Sequence, residues 1–335
     1  MPATTVEVVS PFAFRCNPHV AQARQHVVDW VGRTGLIRRE SARRRFDRAD
    51  FGWFASLVYP TADRVRLELL ADWFAWLFLV DDELDDGRIG RDGTAALAAL
   101  DDLLAVLGED RVAPSAAESV AVTALADLWR RTSPGTGPTW RRRFTGHLAE
   151  CLRTAVTWEA SNRIHGIVPD VATYVDKRRH TGAIYVCMDL IEIAEGIEIA
   201  DSRHGSPEFT AALDAACDVV CWTNDVYSLA KERALGEIHN LVYLVATHDG
   251  MSLAEATRTV STRINAETAR YLDHEAALLG GAPTDHPDLA RYAAGMRSWM
   301  RGNLDWSSRT KRYQDPVDVG APAEYLEATL VRESP

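Results

Sequence analysis

The sequence predicts an all-α protein, and three observations support that prediction. Apolar residues recur at three- and four-residue spacing, the pattern of helices with one buried face, in most of the 335-residue chain. We find no convincing series of alternating apolar and polar residues, which would indicate strands. Glycine and proline collect between the periodic segments, as they do in helix connections. The periodic segments are 19–34, 62–80, 94–107, 115–130, 138–160, 170–196, 208–233, 252–279 and 286–309.

The connections and the two ends complete this outline. Glycine- and proline-rich breaks occur at 131–138, 163–170, 201–208 and 279–287. The first fifteen residues and the stretch 314–335 have poor periodicity, and we expect both to form lids or mobile tails. The length alone favours two domains, but no proline-, glycine- or serine-rich linker and no internal repeat divides the chain. We therefore predict a single domain over residues 1–335.

Composition and charge exclude several classes of function. The chain is 47% hydrophobic with a formal net charge of −11, so it can bury a large core but lacks the cationic excess that binds nucleic acid. No apolar run reaches the roughly 20 residues that span a membrane. Neither nucleic acid nor a membrane is an expected partner. The five cysteines form no CxxC pair and no secretion signal is present, so we expect a reduced, cytoplasmic protein.

An acidic cluster ends an unusually apolar helix. Residues 68–80, "ELLADWFAWLFLV", are apolar on nearly every side, which indicates a helix enclosed by other helices. Asp81, Asp82 and Asp85 follow at once in "DDELD", where the helix dipole disfavours anions, so a compensating cation is expected. Asp81 and Asp85 are four residues apart and share a face. Hard cations such as Mg²⁺ prefer these oxygen ligands, whereas the simpler interpretation is a solvated helix end.

A second row of oxygen ligands occurs far along the chain. In "NDVYSLAKE", Asn224, Ser228 and Glu232 recur every four residues, so they form one stripe on a helix. This stripe also follows an apolar stretch, "ACDVVCWT". Alone it could be an ordinary polar helix face. Together the two motifs predict a deep apolar pocket with a metal-lined mouth, suited to a substrate with an oily body and an anionic head.

Four signals in this order resemble the class I terpene synthases. "DDELD" looks like their aspartate-rich motif and "NDVYSLAKE" like their N-D-x-x-S-x-x-x-E motif. Arg178 in "RRHTG" stands 46 residues before Asn224, the spacing of the family's diphosphate-sensing arginine. The family's C-terminal arginine–tyrosine pair is matched by Arg312 and Tyr313. Order and spacing are similar to those of the bacterial single-domain enzymes of the sesquiterpene cyclase type.

The resemblance implies a fold, ligands and roles for individual residues. The fold would be a helical bundle or barrel with a central apolar pocket, binding a prenyl diphosphate and a small cluster of Mg²⁺, with three ions in the closed complex. In the first motif, Asp81 would bind metal directly, and Asp82 and Asp85 would assist or turn toward the sensor arginine. In the second motif, the metal ligands would be Asn224, Ser228 and Glu232. The diphosphate would be bound by Arg178, Lys231, Arg312 and Tyr313. Arg179 is the nearest competitor of Arg178, which spacing alone favours.

Further residues are expected around the reacting carbon chain. Gly182 interrupts an apparent helix at a cost of about 1 kcal/mol relative to alanine. In the resembling family this position lies at a helix break whose backbone carbonyl points toward the developing cation. Thr181 would link it to Arg178. Close helix packing is the alternative reason for a glycine here. Helical spacing places Phe78 and Phe74 below the metal ligands, and Trp306 precedes the arginine–tyrosine pair. For each aromatic residue, core packing is the competing interpretation.

The expected reaction is ionisation of farnesyl diphosphate and cyclisation to a sesquiterpene hydrocarbon or alcohol, with geranylgeranyl diphosphate and a diterpene as the alternative. A chain-elongating prenyl transferase would show two aspartate-rich motifs, and a protonation-initiated cyclase a D-x-D-D acid. A di-iron protein would show Glu-x-x-His pairs, which this sequence lacks. A non-catalytic helical scaffold gives no reason for the four signals to coexist. The sequence leaves a homodimer open.

Overall fold

The computed structural model describes residues 8–87, 92–107, 118–280, 286–314 and 327–331. These residues form α-helices joined by short connections, with no β-strand among them, which confirms the all-α prediction. The helices are α1 (Val20–Thr34), α2 (Glu40–Ala49), α3 (Phe51–Val58), α4 (Arg64–Asp86), α5 (Gly93–Ala105), α6 (Val120–Thr132), α7 (Pro138–Thr154), α8 (Ala160–His165), α9 (Val171–Thr181), α10 (Ile184–Glu195), α11 (Asp201–His204), α12 (Pro207–Leu235), α13 (Leu241–Asp249), α14 (Leu253–Leu279), α15 (Pro287–Ser307) and α16 (Lys311–Gln314).

Every predicted segment contains a helix, with differences in detail. Segment 138–160 includes a π turn at Ala155–Glu159 between α7 and α8. Segment 170–196 is two helices, because α9 ends at Thr181 and α10 begins at Ile184. The sequence pattern missed α2, α3, α13 and α16. Connection 201–208 contains the short α11, and part of connection 279–287 lies outside the described residues.

Contacts between Cα atoms group the chain into two compact units. The first unit comprises Pro18–Ser56, Ala62–Ile167 and Thr310–Pro335, and it carries "DDELD" and the arginine–tyrosine pair. The second comprises Met1–Asn17, Leu57–Thr61 and Val168–Arg309, and it carries Arg178 and "NDVYSLAKE". The interpretation of residues 1–335 as one domain stays a prediction.

In the first unit, α4 is the buried helix that its composition predicts. It packs against α1 and α6, and Trp73 and Trp76 have no exposed surface. Their indole N–H groups donate to Thr132 Oγ1 at 3.0 Å and to the Ala121 carbonyl at 2.9 Å, so burial leaves neither unsatisfied. The Asp63 side chain caps the start of α4 by accepting from the Arg66 N–H. The helix continues to Asp86, so "DDELD" lies in its last turns.

In the second unit, α12 is the central helix. It spans 29 residues and packs against α9, α10, α13, α14 and α15. Ser206 caps its first turn by accepting from the Phe209 N–H, and Gly236 ends it in a left-handed conformation. Asn303 of α15 donates to the Val220 carbonyl at 3.0 Å. This packing fixes the helix that carries the second motif.

The described parts of both end segments are held by contacts. In the second unit, Asn265 Oδ1 accepts from the Val9 N–H at 2.9 Å, and the Phe12 carbonyl accepts from Arg301 at 3.1 Å. In the first unit, the Thr329 carbonyl accepts from the Ala121 N–H at 2.9 Å. Residues 1–7, 315–326 and 332–335 lie outside the described part of the chain, so the lids or tails expected at 1–15 and 314–335 stay predictions.

None of the described helices has the length and apolar character of a membrane span.

Candidate active site

Asp82 of the acidic motif is bound by arginines. Arg312 donates two hydrogen bonds to its carboxylate, at 2.7 and 3.0 Å, and Arg45 Nη2 lies 3.8 Å from Oδ1. Asp82 is 5% exposed, so these cations supply the compensation that the helix end requires. The partly exposed Asp81 precedes it on α4. The structure thus brings together two residues that the sequence predicted separately, Asp82 and Arg312, and adds Arg45.

Asp85 has a different cation. Arg163 of α8 donates to its carboxylate at 2.9 Å and to the Leu84 carbonyl at 3.3 Å. Sequence reasoning missed Arg163, because it assigned residues 163–170 to a helix connection, whereas the structure places Arg163 on α8. The only available signal was the expectation that an acidic helix end needs cations.

Arg312 keeps one donor without an acceptor among the described residues. Its guanidinium lies 5.1 Å from the centre of the Phe78 ring, and within the described part of the chain its Nε has no hydrogen-bond partner. Although burial opposes the charge, the Asp82 carboxylate raises the pKa of this guanidinium, so it stays protonated. Tyr313 beside it is 8% exposed. A buried cation with an unused N–H suits an anionic ligand.

Glu83, between the predicted ligands, serves another purpose. Its carboxylate accepts from Thr329 Oγ1 at 2.5 Å and from the Leu330 N–H at 3.0 Å. Burial raises the pKa of this carboxyl, while both hydrogen bonds oppose that change. The acidic motif is thereby attached to residues 327–331 of the chain.

The second motif forms one stripe on α12, as its spacing predicts. Ser228 Oγ donates to the Asn224 carbonyl at 2.8 Å, and Glu232 Oε2 accepts from Asn240 Nδ2 at 2.8 Å. Burial, followed by the charge of Asp225, raises the pKa of the Glu232 carboxyl to about 7. Lys231 on the same turn is 8% exposed.

Arg178 lies against this stripe. Its Nη2 donates to Asn224 Oδ1 at 3.0 Å and its Nε to Asp225 Oδ1 at 3.1 Å. Asp225 also accepts from the Tyr174 hydroxyl at 2.7 Å and from the Leu241 N–H at 3.0 Å, so it holds the arginine from a fully buried position. Burial opposes the charge, but Tyr174 and Asp225 raise the pKa of Arg178 well above its ordinary value. Asp225 and Tyr174 were missed as site residues.

Arg179 points to other partners. It makes two hydrogen bonds of 2.7 Å to Asp218, and a further ion pair of 3.3 Å joins it to Asp214. The Asp218 and Asp214 carboxylates therefore already engage its forked guanidinium, whereas Arg178 contacts the stripe itself. This geometry favours Arg178 over Arg179 as the sensor, and the assignment stays a prediction.

The helix break expected at Gly182 is present, with a different residue in the strained position. Gly182 has φ −71°, whereas Ala183 has φ +53° in the left-handed region. A Cβ on Gly182 would lie 3.0 Å from the Arg178 carbonyl and 3.3 Å from Cys221 Sγ, so close packing, the alternative reason for glycine, also favours a small residue here. The buried Thr181 hydroxyl has no hydrogen-bond partner among the described residues, and its role as the link to Arg178 stays a prediction.

The three predicted pocket aromatics differ in exposure. Phe74 and Trp306 have at most 1% exposed surface, as expected of core residues. The ring centres of Phe74 and Phe54 are 5.0 Å apart. Phe78 is partly exposed, stacks on Phe51 at 4.6 Å and lies below the Arg312 guanidinium. Among these three, Phe78 is the best candidate for contact with a ligand, and all three assignments stay predictions.

The donor sets of the two motifs fit a hard divalent cation. They consist of carboxylate, amide and hydroxyl oxygens, the ligands that Mg²⁺ prefers. The Nε of Arg312, which has no partner among the described residues, fits a diphosphate bound beside such a cation.

Sequence reasoning missed a separate group of possible metal ligands. Their ligand atoms lie within 4.8 Å of one another, and the residues are Asp189, Glu192 and His204. One of its members is already used, because Glu192 accepts from the Ile199 N–H at 2.7 Å.

Comparison with known proteins gives the family. The family described as "Terpene synthase family 2, C-terminal metal binding" matches residues 72–270. The (+)-T-muurolol synthase of Roseiflexus castenholzii, described as (2E,6E)-farnesyl diphosphate cyclizing, is 37% identical over 91% of this chain and 93% of its own. Pristinol synthase of Streptomyces pristinaespiralis is 33% identical over 93% of this chain and 85% of its own. The crystal structure of linalool/nerolidol synthase from Streptomyces clavuligerus aligns with a TM-score of 0.80 at 29% identity, over 90% of this chain and 100% of that one. The chain therefore belongs to the terpene synthases, as an all-α class I enzyme of the bacterial type.

Proposed function

We propose that this enzyme ionises farnesyl diphosphate and cyclises the resulting allylic cation to a sesquiterpene hydrocarbon or alcohol. The (+)-T-muurolol synthase, which is described as acting on this substrate, covers nearly the whole chain at 37% identity. One observation in the structure carries the proposal. Arg178 donates to Asn224 at 3.0 Å, which joins the cation proposed to bind diphosphate to the oxygen-ligand stripe in one hydrogen-bonded network.

Cleavage of the allylic C–O bond separates charge, and the protein must stabilise the departing diphosphate. Bound Mg²⁺, which we propose as three ions in the closed complex, supplies positive charge to the leaving oxygens. Asp81, Asp82 and Asp85 of the first motif would hold metal ions, with Asp81 binding directly. Asn224, Ser228 and Glu232 of the second motif would hold another ion. Arg178, Lys231, Arg312 and Tyr313 donate to the diphosphate, and their fixed positions lower the cost of reorganisation during ionisation.

The hydrocarbon part of the substrate needs a dry, non-nucleophilic lining. Water would add to the allylic cation before it cyclised, whereas an aromatic face stabilises the cation without attacking it. Phe78 has partly exposed surface that suits this role, and Phe74 and Trp306 are the further candidates. The carbonyl of Gly182, at the break between α9 and α10, is proposed to face the developing charge.

Substrate length is tested by offering the C10, C15 and C20 diphosphates separately with Mg²⁺. Released diphosphate is measured alongside gas chromatography and mass spectrometry of the extract. We expect the highest kcat/KM and a cyclic C15 product with farnesyl diphosphate. A preference for the C20 substrate would make the enzyme a diterpene cyclase. A product longer than its allylic substrate, formed when isopentenyl diphosphate is added, would make it a prenyl transferase.

A further inference from the structure

Asn240, the residue before α13, uses its whole hydrogen-bonding capacity inside the protein. It is 1% exposed. Its Oδ1 accepts from the backbone N–H groups of Val242 at 2.9 Å and Tyr243 at 3.2 Å. Its Nδ2 donates to the Asp225 carbonyl at 2.7 Å and to Glu232 Oε2 at 2.8 Å. An amide side chain has two donors and two acceptor sites, and all four are satisfied here.

These contacts fix which way the amide faces. The first N–H groups of a helix lack partners within the helix, so the amide oxygen must lie on the α13 side as its cap. The reversed amide would place its NH₂ against the two N–H donors and its oxygen against two acceptors. The NH₂ group is therefore held against the Asp225 carbonyl and the Glu232 carboxylate, and reversing the amide would break all four hydrogen bonds.

Glu232 gains a defined carboxylate orientation from this arrangement. A glutamate has three rotatable side-chain bonds, and holding one oxygen removes much of that freedom. Asn240 binds Oε2, while Ser228 and Asn224 precede Glu232 on the same stripe of α12. An N–H donor also favours the charged carboxylate, the form that a metal ligand requires.

We propose that Asn240 is a positioning residue for metal binding, which holds the Glu232 carboxylate in the orientation that ligates Mg²⁺. This inference rests on the proposed function, which assigns Glu232 as a ligand. Asn240 acts through Glu232 and is not itself a ligand, because both of its donors and its oxygen are already engaged. The competing interpretation is that Asn240 only caps α13.

The substitution Asn240→Asp separates these roles. Aspartate caps a helix as well as asparagine does, so the bonds to Val242 and Tyr243 are kept. The variant loses both N–H donors and places a carboxylate beside Glu232. We expect the Mg²⁺ concentration for half-maximal turnover to rise by about 10- to 100-fold, the usual effect of losing a partner that orients a metal ligand. We expect kcat at saturating Mg²⁺ to change much less.

A readout without turnover uses inorganic diphosphate. Mg²⁺ with diphosphate should raise the melting temperature of the parent, and Asn240→Asp should need about 10- to 100-fold more Mg²⁺ for the same rise. Asn265→Asp is the matched control, because it makes the same change in shape and charge and keeps the oxygen that accepts from Val9. We expect the control to respond to Mg²⁺ as the parent does. If Asn240→Asp does not fold, Asn240→Ser keeps a capping oxygen without the added charge.

A double substitution tests whether Asn240 acts through Glu232. In a Glu232→Gln background, Asn240→Asp should cause no further loss of Mg²⁺ response. An equal loss in both backgrounds would overturn the inference, and so would a normally folded Asn240→Asp with the parent's Mg²⁺ dependence. A parent that shows no Mg²⁺ response would instead overturn the proposed function, so the two failures are distinguishable.

Discussion

Arg312 and Asp82 are 230 residues apart in the sequence, yet two hydrogen bonds of 2.7 and 3.0 Å join their buried side chains. Each side chain is at most 7% exposed, so solvent screens the pair little. The contact attaches the short helix α16 to the acidic end of α4. It links the aspartate-rich motif to the arginine–tyrosine pair that this family of enzymes places near the end of the chain.

Replacing one member of this pair should destabilise the fold. Asp82→Asn leaves the buried Arg312 charge beside a neutral amide, and we expect the free energy of unfolding to fall by roughly 3 kcal/mol. Glu40→Gln is the control, because its pair with Arg44 is exposed, and a change within about 0.5 kcal/mol is expected. Urea unfolding of both variants measures the difference. Equal effects would mean that burial adds nothing to the Arg312–Asp82 contact.

The two neighbouring arginines should behave differently. Arg178→Lys keeps the charge but loses the forked geometry that binds phosphate oxygens, so we expect turnover to fall by about 10- to 1,000-fold. Arg179→Lys breaks the paired hydrogen bonds to Asp218 and should act mainly on stability. Steady-state kinetics and thermal melting, measured on both variants, separate the effects. Normal turnover in Arg178→Lys with a strong loss in Arg179→Lys would assign the sensor to Arg179 instead.

Removal of the metal should abolish turnover reversibly. The two motifs present hard oxygen ligands, so treatment with a chelator should stop diphosphate release and Mg²⁺ should restore it. Far-ultraviolet circular dichroism should stay unchanged, because the helices form around an apolar core rather than around the metal. Full turnover in rigorously metal-free buffer would exclude the assigned ligands, and unfolding on chelation would point to a structural metal.

Stability should depend on pH through His26. Its ring nitrogen Nε2 donates to Asp72 Oδ2 at 2.9 Å, and its Nδ1 lies 3.6 Å from Glu68 Oε2. Arg131, which also binds Asp72 at 2.9 Å, is the nearby opposing cation. The hydrogen bond to Asp72 raises the pKa of His26 above 6.5, although burial opposes it. The folded state therefore binds the proton more tightly, and this stabilisation is complete below about pH 6.5 and lost as the pH rises through the folded pKa.

The measurement is the free energy of unfolding at several pH values above 6, for the parent and for His26→Gln. Burial also raises the pKa of Asp72 above its ordinary value of 3.8. Asp72 therefore also makes the protein less stable as the pH rises, but its contribution begins near pH 3.8. We expect the parent to lose stability with rising pH near neutrality and His26→Gln to lose less. Identical slopes would exclude His26 as the titrating group.

The sequence pattern located the two helices that carry the motifs, α4 and α12. Both are long, and each contains an extended apolar stretch before its motif. It missed α2, in which Ala42, Phe46 and Ala49 are the buried residues among mostly charged neighbours. It missed α13 because the helix has only nine residues, and its apolar run over residues 241–246 shows no clear period. Segments like these become helical through tertiary contacts that no local window contains.

The same division holds at the site. The spacing of 46 residues that singled out Arg178 corresponds to a direct hydrogen bond to Asn224 in the structure. The partners Arg163, Tyr174 and Asn240 were not predicted, because each reaches its motif from another helix or loop. An asparagine before an apolar run was a visible capping signal at position 240, but nothing local connects it with Glu232.

The attachment of Thr329 and Leu330 to Glu83 has a consequence for protein engineering. Trimming the chain before Thr329 would leave a buried carboxyl without two donors, at a cost of roughly 1–3 kcal/mol, one residue from Asp82. Joining a second enzyme beyond Leu330, as in a fusion that feeds substrate directly, would apply strain through the linker to the same helix. A change in product spectrum after either manipulation would then report on a displaced acidic motif and not on new pocket chemistry, so linker length belongs among the variables of any such design.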